Sequence, residues 1–299
     1  MRADGEPQIK PFFFMVSMPF WGYVADYSGK HKLILMALMA IAPLLRLTLL
    51  GLEGVWTVSI IVLISDFFGS PVEPILDSTC LDVLPEPILY GKQRLWGAIG
   101  WGWVGAPIAG AVLAGPGGIP ALFTGHALIA AITIYFVSKS KVNAHPPEGG
   151  SVWDVAGVVA RDIPTFLFFL ASLVIGAGFG VIFAYQFLLL NDLGDNGVIM
   201  GIATMCTCLT EVPVLYMSEH VIKPLGMVKS MELSILLATA RLLWYGTMTT
   251  AAQTLYVEWT HGVTFGLAWA AGTGFCRSIA PEGMGATMQG FYTAWMWGA

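Results

Sequence analysis

Ionisable residues buried in long apolar stretches are where this 299-residue chain could do chemistry. Asp66, Glu73 and Asp77 fall on one such stretch, at spacings of seven and four residues. At about 100° per residue a helix projects all three within roughly 40° of one another, as a polar stripe. Pro71 and Pro74 interrupt the same stretch. Arg94 and Trp101 are seven apart on the next one. A guanidinium fork that binds hydroxyls, carboxylates or phosphates then shares a face with an indole that stacks on a sugar or base ring. The alternative for Arg94 is a cytoplasmic anchor. Glu211, Arg241 and His261 lie on three further apolar stretches. Together they would form a proton relay: the guanidinium alters the carboxylate's proton affinity as it approaches or withdraws, and the imidazole bonds either form. Glu258, one turn before His261, is a second acid, expected nearer the outer face and less suited to the relay. The lone His126 reads as a satisfied core histidine.

Composition says what kind of element holds these residues. Hydrophobic residues make up 56% and charged ones 11%, against about 25% charged in soluble domains, and the mean hydropathy is +0.73. This is the signature of an all-α, multi-pass integral membrane protein. Spanning the hydrocarbon core takes roughly 20 apolar residues. The pattern predicts segments near 11–24, 33–52, 55–79, 94–114, 118–138, 164–190, 197–217, 229–249 and 255–275, with a tenth beginning near 285. Lys30, Lys32, Lys92, Lys139, Lys141, Arg161, Lys223, Lys229 and Arg277 fall in every second connection, which makes those connections cytoplasmic. The polar stretch 138–161, with Pro146, Pro147, Gly149 and Gly150, reads as a cytoplasmic linker between helix bundles 1–137 and 162–299.

Several classes are disfavoured. A net charge of −5 without a basic cluster longer than Lys30 to Lys32 argues against nucleic acid as a partner. Cys80, Cys206, Cys208 and Cys276 sit in or beside apolar segments as small hydrophobes, and no metal site or cofactor is implied. There is no Gly-x-x-x-x-Gly-Lys-Ser/Thr phosphate loop, and no His-Glu-x-x-His or Gly-x-Ser-x-Gly motif, so an enzyme is not expected. Gly176, Gly178 and Gly180 lie within an apolar span and read as close helix packing, as do Gly102, Ala106, Gly110 and Ala114 at four-residue intervals.

One connection carries more than topology. Gly22-Tyr-Val-Ala-Asp26-Tyr-Ser-Gly29-Lys30-His31-Lys32 reads as a tight turn: glycines allow close approach and reversal, Asp26 can bond backbone donors at a helix end, and Lys30 and Lys32 anchor the cytoplasmic side. The pattern resembles the loop between the second and third helices of the major facilitator superfamily, with His31 and Lys32 where that family often has two bases. The helix from Tyr90 to Trp101 resembles the fifth helix of the superfamily's lactose permease and nucleoside proton symporter group. That resemblance implies solute contacts at Arg94 and Trp101, with Asp77 as the acid on the preceding helix. The stretches holding Glu211, Arg241 and His261 resemble helices eight to ten of the same group, and so imply proton coupling, although Glu211 falls one turn away from that group's acid and Thr264 stands where the group has its proton-carrying glutamate.

Taken together, the resemblance implies two pseudo-symmetric bundles and alternating-access symport of a sugar or nucleoside-like solute with protons across the bilayer. The alternative is a membrane receptor or scaffold that keeps the fold without transporting. Helices two to ten and the start of the eleventh are the part of the family pattern expected here. The first helix and the last one or two are expected to lie outside the sequence, in which case the chain alone would be an inactive fragment.

Overall fold

The computed structural model describes residues 10–115, 117–140, 150–195 and 197–298, and among them every regular element is a helix. In chain order these are α1 (Lys10–Ser28), α2 (His31–Thr48), α3 (Val55–Gly69), α4 (Val72–Val83), α5 (Gly91–Ala98), α6 (Ala106–Ala114), α7 (Gly118–Lys139) and α8 (Val152–Arg161). There follow α9 (Ile163–Asp192), α10 (Val198–Leu225), α11 (Met227–Thr247), α12 (Leu255–Glu258), α13 (Ala268–Ile279) and α14 (Gly285–Trp297). Two wider π-helical segments interrupt the series: Ile99–Gly105 joins α5 to α6, and Gly262–Leu267 leads into α13.

The expected spans reappear as these helices, with ends moved by a few residues. Five stretches among the described residues are long and apolar enough to cross a membrane: His31–Gly51, Val55–Val83 (α3 and α4 together), Gly118–Lys139, Ile163–Asp192 and Val198–Leu225. The spans near 94–114 and 255–275 are each split by a π-turn. Part of the expected linker is helical: α8 buries Val155 and Val159, four residues apart on one face, and exposes Trp153. Residues 141–149 of that linker, which include Lys141, Pro146, Pro147 and Gly149, lie outside the described residues.

Local chemistry sets the helix ends. Gly29 adopts φ +63°, a left-handed conformation that costs a side-chain-bearing residue steric strain, and so stops α1 at Ser28. Asp162 opens α9 by accepting from the Thr165 amide at 2.9 Å and hydroxyl at 2.6 Å, and these bonds hold its carboxyl below the usual carboxylate range.

Two compact units share the chain. The first comprises Met1–Thr79, Val112–Val155 and Pro281–Gly298. Within it α1 packs along α14 and α3, and α2 packs against α3 and α7. Its core is Ala25, Leu35, Leu38, Ile75 and Ala286. A Cβ added at Gly22 would stand 2.5 Å from the Ala286 carbonyl oxygen, and one at Gly290 would stand 2.5 Å from that of Met18. The two glycines thus let the backbones of α1 and α14 touch.

The second unit comprises Cys80–Ala111 and Ala156–Ala280. Here α10 packs against α5, α12 and the π-turn Gly262–Leu267, while α11 lies against α9, α13 and the same π-turn. Of the small residues at four-residue intervals, Gly102 packs on Cys208, with room for no Cβ, and Ala106 is exposed.

Gly22→Leu or Gly290→Leu should each destabilise the protein by about 1–3 kcal/mol or more through overpacking. Gly125 has open space around it, so Gly125→Ala should be neutral or stabilise by up to about 1 kcal/mol. Thermal unfolding in detergent distinguishes the two outcomes.

Candidate functional site

In the first unit the turn after α1 is organised by one carboxylate. Asp26 is 1% exposed. Its Oδ1 accepts from His31 Nε2 at 2.7 Å and from the Ala286 amide at 3.1 Å. Its Oδ2 accepts from the Thr287 amide at 2.7 Å and hydroxyl at 2.6 Å. Both amides belong to the first turn of α14, so the anion sits at the positive end of that helix and satisfies donors that have no partner inside it. His31 supplies a fourth donor to the carboxylate. Lys30 is exposed, and Lys32 donates to the Ser140 carbonyl at 2.6 Å.

The acids of the polar stripe do not share one continuous helix, because α3 ends at Gly69 and α4 starts at Val72. Asp66 pairs with Arg46 on α2 at 2.9 Å, and Arg46 Nε donates to Ser65 Oγ at 3.1 Å. Arg46 lies inside the apolar segment 33–52, where an arginine signals a functional or paired charge; sequence reasoning passed over it. Asp77 is buried on α4 beside Ser78 and Thr79, and Glu73 is half-buried one turn earlier.

In the second unit Arg241 and His261 come together, and they bring Glu258 with them. Arg241 is 2% exposed and Glu258 fully buried. Arg241 Nη2 donates to Glu258 Oε2 at 2.8 Å, Nη1 to His261 Nδ1 at 3.0 Å, and Nε to the Tyr245 hydroxyl at 3.2 Å. Glu258 Oε1 accepts from the Tyr245 hydroxyl, from Gln186 Nε2 at 2.8 Å and from Thr254 Oγ1 at 3.4 Å. Each of these partners of Glu258 is a donor, which fits a carboxylate. A guanidinium can only donate, so Nδ1 of His261 is the acceptor and its ring is the neutral Nε2–H form. One positive and one negative charge therefore cancel within a buried, densely bonded cluster contributed by α9, α11, α12 and the residues flanking α12.

Glu211 is 4% exposed on α10, with its Cγ 3.6 Å from where a Cβ at Gly266 would lie. Proximity to His261 was the available signal for Glu258, at three residues; Tyr245 and Gln186 carried none beyond being polar in an apolar span.

Arg94 is half-buried on α5, and its guanidinium lies 5.5 Å from the centre of the Trp269 ring. Trp101, in the π-turn that follows α5, is 61% exposed. Lys92 and Glu219 pair at 2.6 Å between α5 and α10, and Arg277 and Asp82 at 2.7 Å between α13 and α4.

Long apolar helices, paired charges within them and the Asp26 turn define a multi-pass integral membrane protein of the transporter type. The model of the MFS_1 like family matches residues 7–299, and the chain belongs to that family. It is 28% identical over 309 residues to a maltose permease of Geobacillus stearothermophilus, an alignment covering 96% of this chain and 72% of the permease. Among solved structures, the nucleoside transporter NupG (D323A mutant) superposes with TM-score 0.67 at 15% identity, over 97% of this chain and 77% of the other. A bacterial homologue of the iron transporter ferroportin in its outward-facing state gives TM-score 0.67 at 15% identity, over 96% and 78%. These two likenesses establish the fold: two-bundle, all-α and of the major facilitator type.

Removing one member of a buried ion pair leaves the other charge uncompensated, which costs about 3–5 kcal/mol. Arg241→Gln and Glu258→Gln should each destabilise by that order, and the double variant should lose markedly less than the sum. Thermal unfolding of the purified variants checks this, and strict additivity would contradict the pairing.

Proposed function

We propose that this protein is a secondary active transporter that moves a small polar solute, a sugar or nucleoside-like molecule, together with protons. Bundles 1–137 and 162–299, joined by the linker 138–161, would alternate access to a midplane site. The observation that carries the reading is the buried Arg241, Glu258 and His261 cluster. Charges at membrane depth cost about 2.5 to 3.5 kcal/mol each on insertion scales, and a receptor or scaffold has no need to keep them. Similarity to a maltose permease and to a nucleoside transporter supports the solute class.

In this scheme Asp77, Arg94 and Trp101 contact the solute, the guanidinium through hydroxyls or an anionic group and the indole by stacking on a ring. Glu211, Arg241 and His261 couple proton movement to solute binding. Glu258 holds Arg241 in one of its two positions, and withdrawal of Arg241 from one carboxylate toward another changes the proton affinity of both. The Asp66 and Glu73 stripe supplies polar lining. The loop of Gly22, Asp26, Gly29, Lys30 and Lys32 gates the cytoplasmic side: opening there breaks the bonds from α14 to Asp26, and closing restores them.

The test is uptake by proteoliposomes of radiolabelled maltose, lactose and uridine, with an imposed proton gradient. At least one is expected to accumulate, with accumulation abolished by a protonophore and reduced roughly 100-fold or more by Arg94→Ala, in line with loss of a charged hydrogen-bonding group from a buried site. Uptake indifferent to the protonophore would remove proton coupling. Normal uptake by Arg94→Ala would remove the solute site.

A further inference from the structure

Three contacts converge on one buried indole. Trp269 is 1% exposed and heads the largest fully buried side chains of the described residues. Its Nε1 donates to the Tyr90 hydroxyl at 3.2 Å, and Tyr90 is itself 1% exposed. Phe265 stacks on it with centroids 5.7 Å apart and planes 28° apart. The Arg94 guanidinium lies over the ring, 5.5 Å from its centroid. A cation over an indole is attracted by the ring quadrupole, more strongly where water is excluded, so a buried tryptophan is a better seat for a guanidinium than an exposed one.

The stack continues beyond Phe265. His261 lies 5.4 Å from Phe265 at an interplanar angle of 14°, and the edge of Phe179 closes against both rings, at 6.0 and 5.4 Å. His261, Phe265 and Trp269 are spaced by four residues. On a helix that spacing advances each ring by only about 40°, so the rings follow one side of the spiral as i,i+4 neighbours, and the first two are nearly parallel. Arg241 bonds the far end of the column through His261. Both arginines of the proposed mechanism therefore terminate on one aromatic column inside the second unit.

We propose that Trp269 is the positioning residue of the solute site: it fixes the Arg94 guanidinium, is held in plane by Tyr90, and links Arg94 through Phe265 and His261 to the Arg241 and Glu258 pair. This rests on the reading of Arg94 as a solute contact. Trp101, exposed in the π-turn after α5, is then left to meet the solute ring.

The experiment compares Trp269→Phe and Trp269→Leu with Arg94→Ala in proteoliposome uptake of radiolabelled maltose and uridine, alongside a thermal double-mutant cycle of Arg94→Gln and Trp269→Leu in detergent. Trp269→Leu should raise the half-saturation concentration about tenfold, the order expected for a desolvated cation–π contact, with the maximal rate changed less than about threefold. Trp269→Phe, which keeps a ring face, should restore most of the affinity, and the cycle should be non-additive. A half-saturation concentration unchanged in Trp269→Leu while Arg94→Ala abolishes uptake would overturn the positioning role and leave the solute site standing. Normal uptake by Arg94→Ala defeats the underlying reading instead. Additive loss in the cycle, which needs no solute, overturns the contact between Arg94 and Trp269.

Discussion

A charge held at membrane depth must bring its partner with it, and that constraint organises this protein. Water is absent from the hydrocarbon core, so an ion there is stable only when protein groups replace its hydration. Asp26, buried at the turn after α1 rather than in the hydrocarbon core, has the same need and meets it with the first amides of α14, the Thr287 hydroxyl and His31. Asp66 meets it with Arg46, and Glu258 with Arg241, Tyr245 and Gln186. Each solution ties separate helices together: α1 with the distant α14, α2 with its neighbour α3, and α9 with α11 and α12. Helix adjacency follows from these ties together with glycine contacts that let the backbones meet.

The second unit adds a device of its own. Both π-turns press on α10 near Cys208 and Thr210: a Cβ at Gly102 would stand 2.4 Å from Cys208 Sγ, and one at Gly262 would stand 2.3 Å from the Thr210 carbonyl oxygen. Trp103 Nε1 donates to the Cys208 carbonyl at 3.1 Å, and the Gly262 amide to Thr210 Oγ1 at 3.3 Å. Pro213, one turn further on, removes an amide from the α10 ladder. A helix flanked by two wide turns and weakened by a proline is suited to flex where Glu211 sits.

Much of this was legible in the sequence, for a physical reason. Hydropathy reports burial in lipid directly, so spans such as 118–138 and 164–190 match α7 and α9 to within a few residues. The Asp26 turn was readable because its glycines and acid have few other uses at that spacing. The π-turns were not, since an apolar run such as Gly262–Leu267 has the same composition in an α-helix and in a wider one. Glu258 was discounted on its depth, yet the surroundings of a carboxylate, here Arg241 on another helix, decide its state more than its distance from the bilayer surface. Trp269 lay eight residues past His261, a spacing that gained meaning only once Phe265 was found stacked between the two rings. Arg46 was the plain omission: a lone arginine within an apolar span is a signal needing no structure.

The proposed cycle turns on whether the ends of α1 and α14 part during turnover, since opening there would break the Asp26 bonds that join them. Spin labels at Tyr27→Cys on α1 and Glu282→Cys before α14, both exposed positions, with the native cysteines replaced, report that separation by double electron–electron resonance. Alternating access predicts one short distance in the resting protein and a second, longer population when solute and a proton gradient are supplied, enlarged by Asp26→Asn. A single distribution, unmoved by solute, gradient or that substitution, would contradict it.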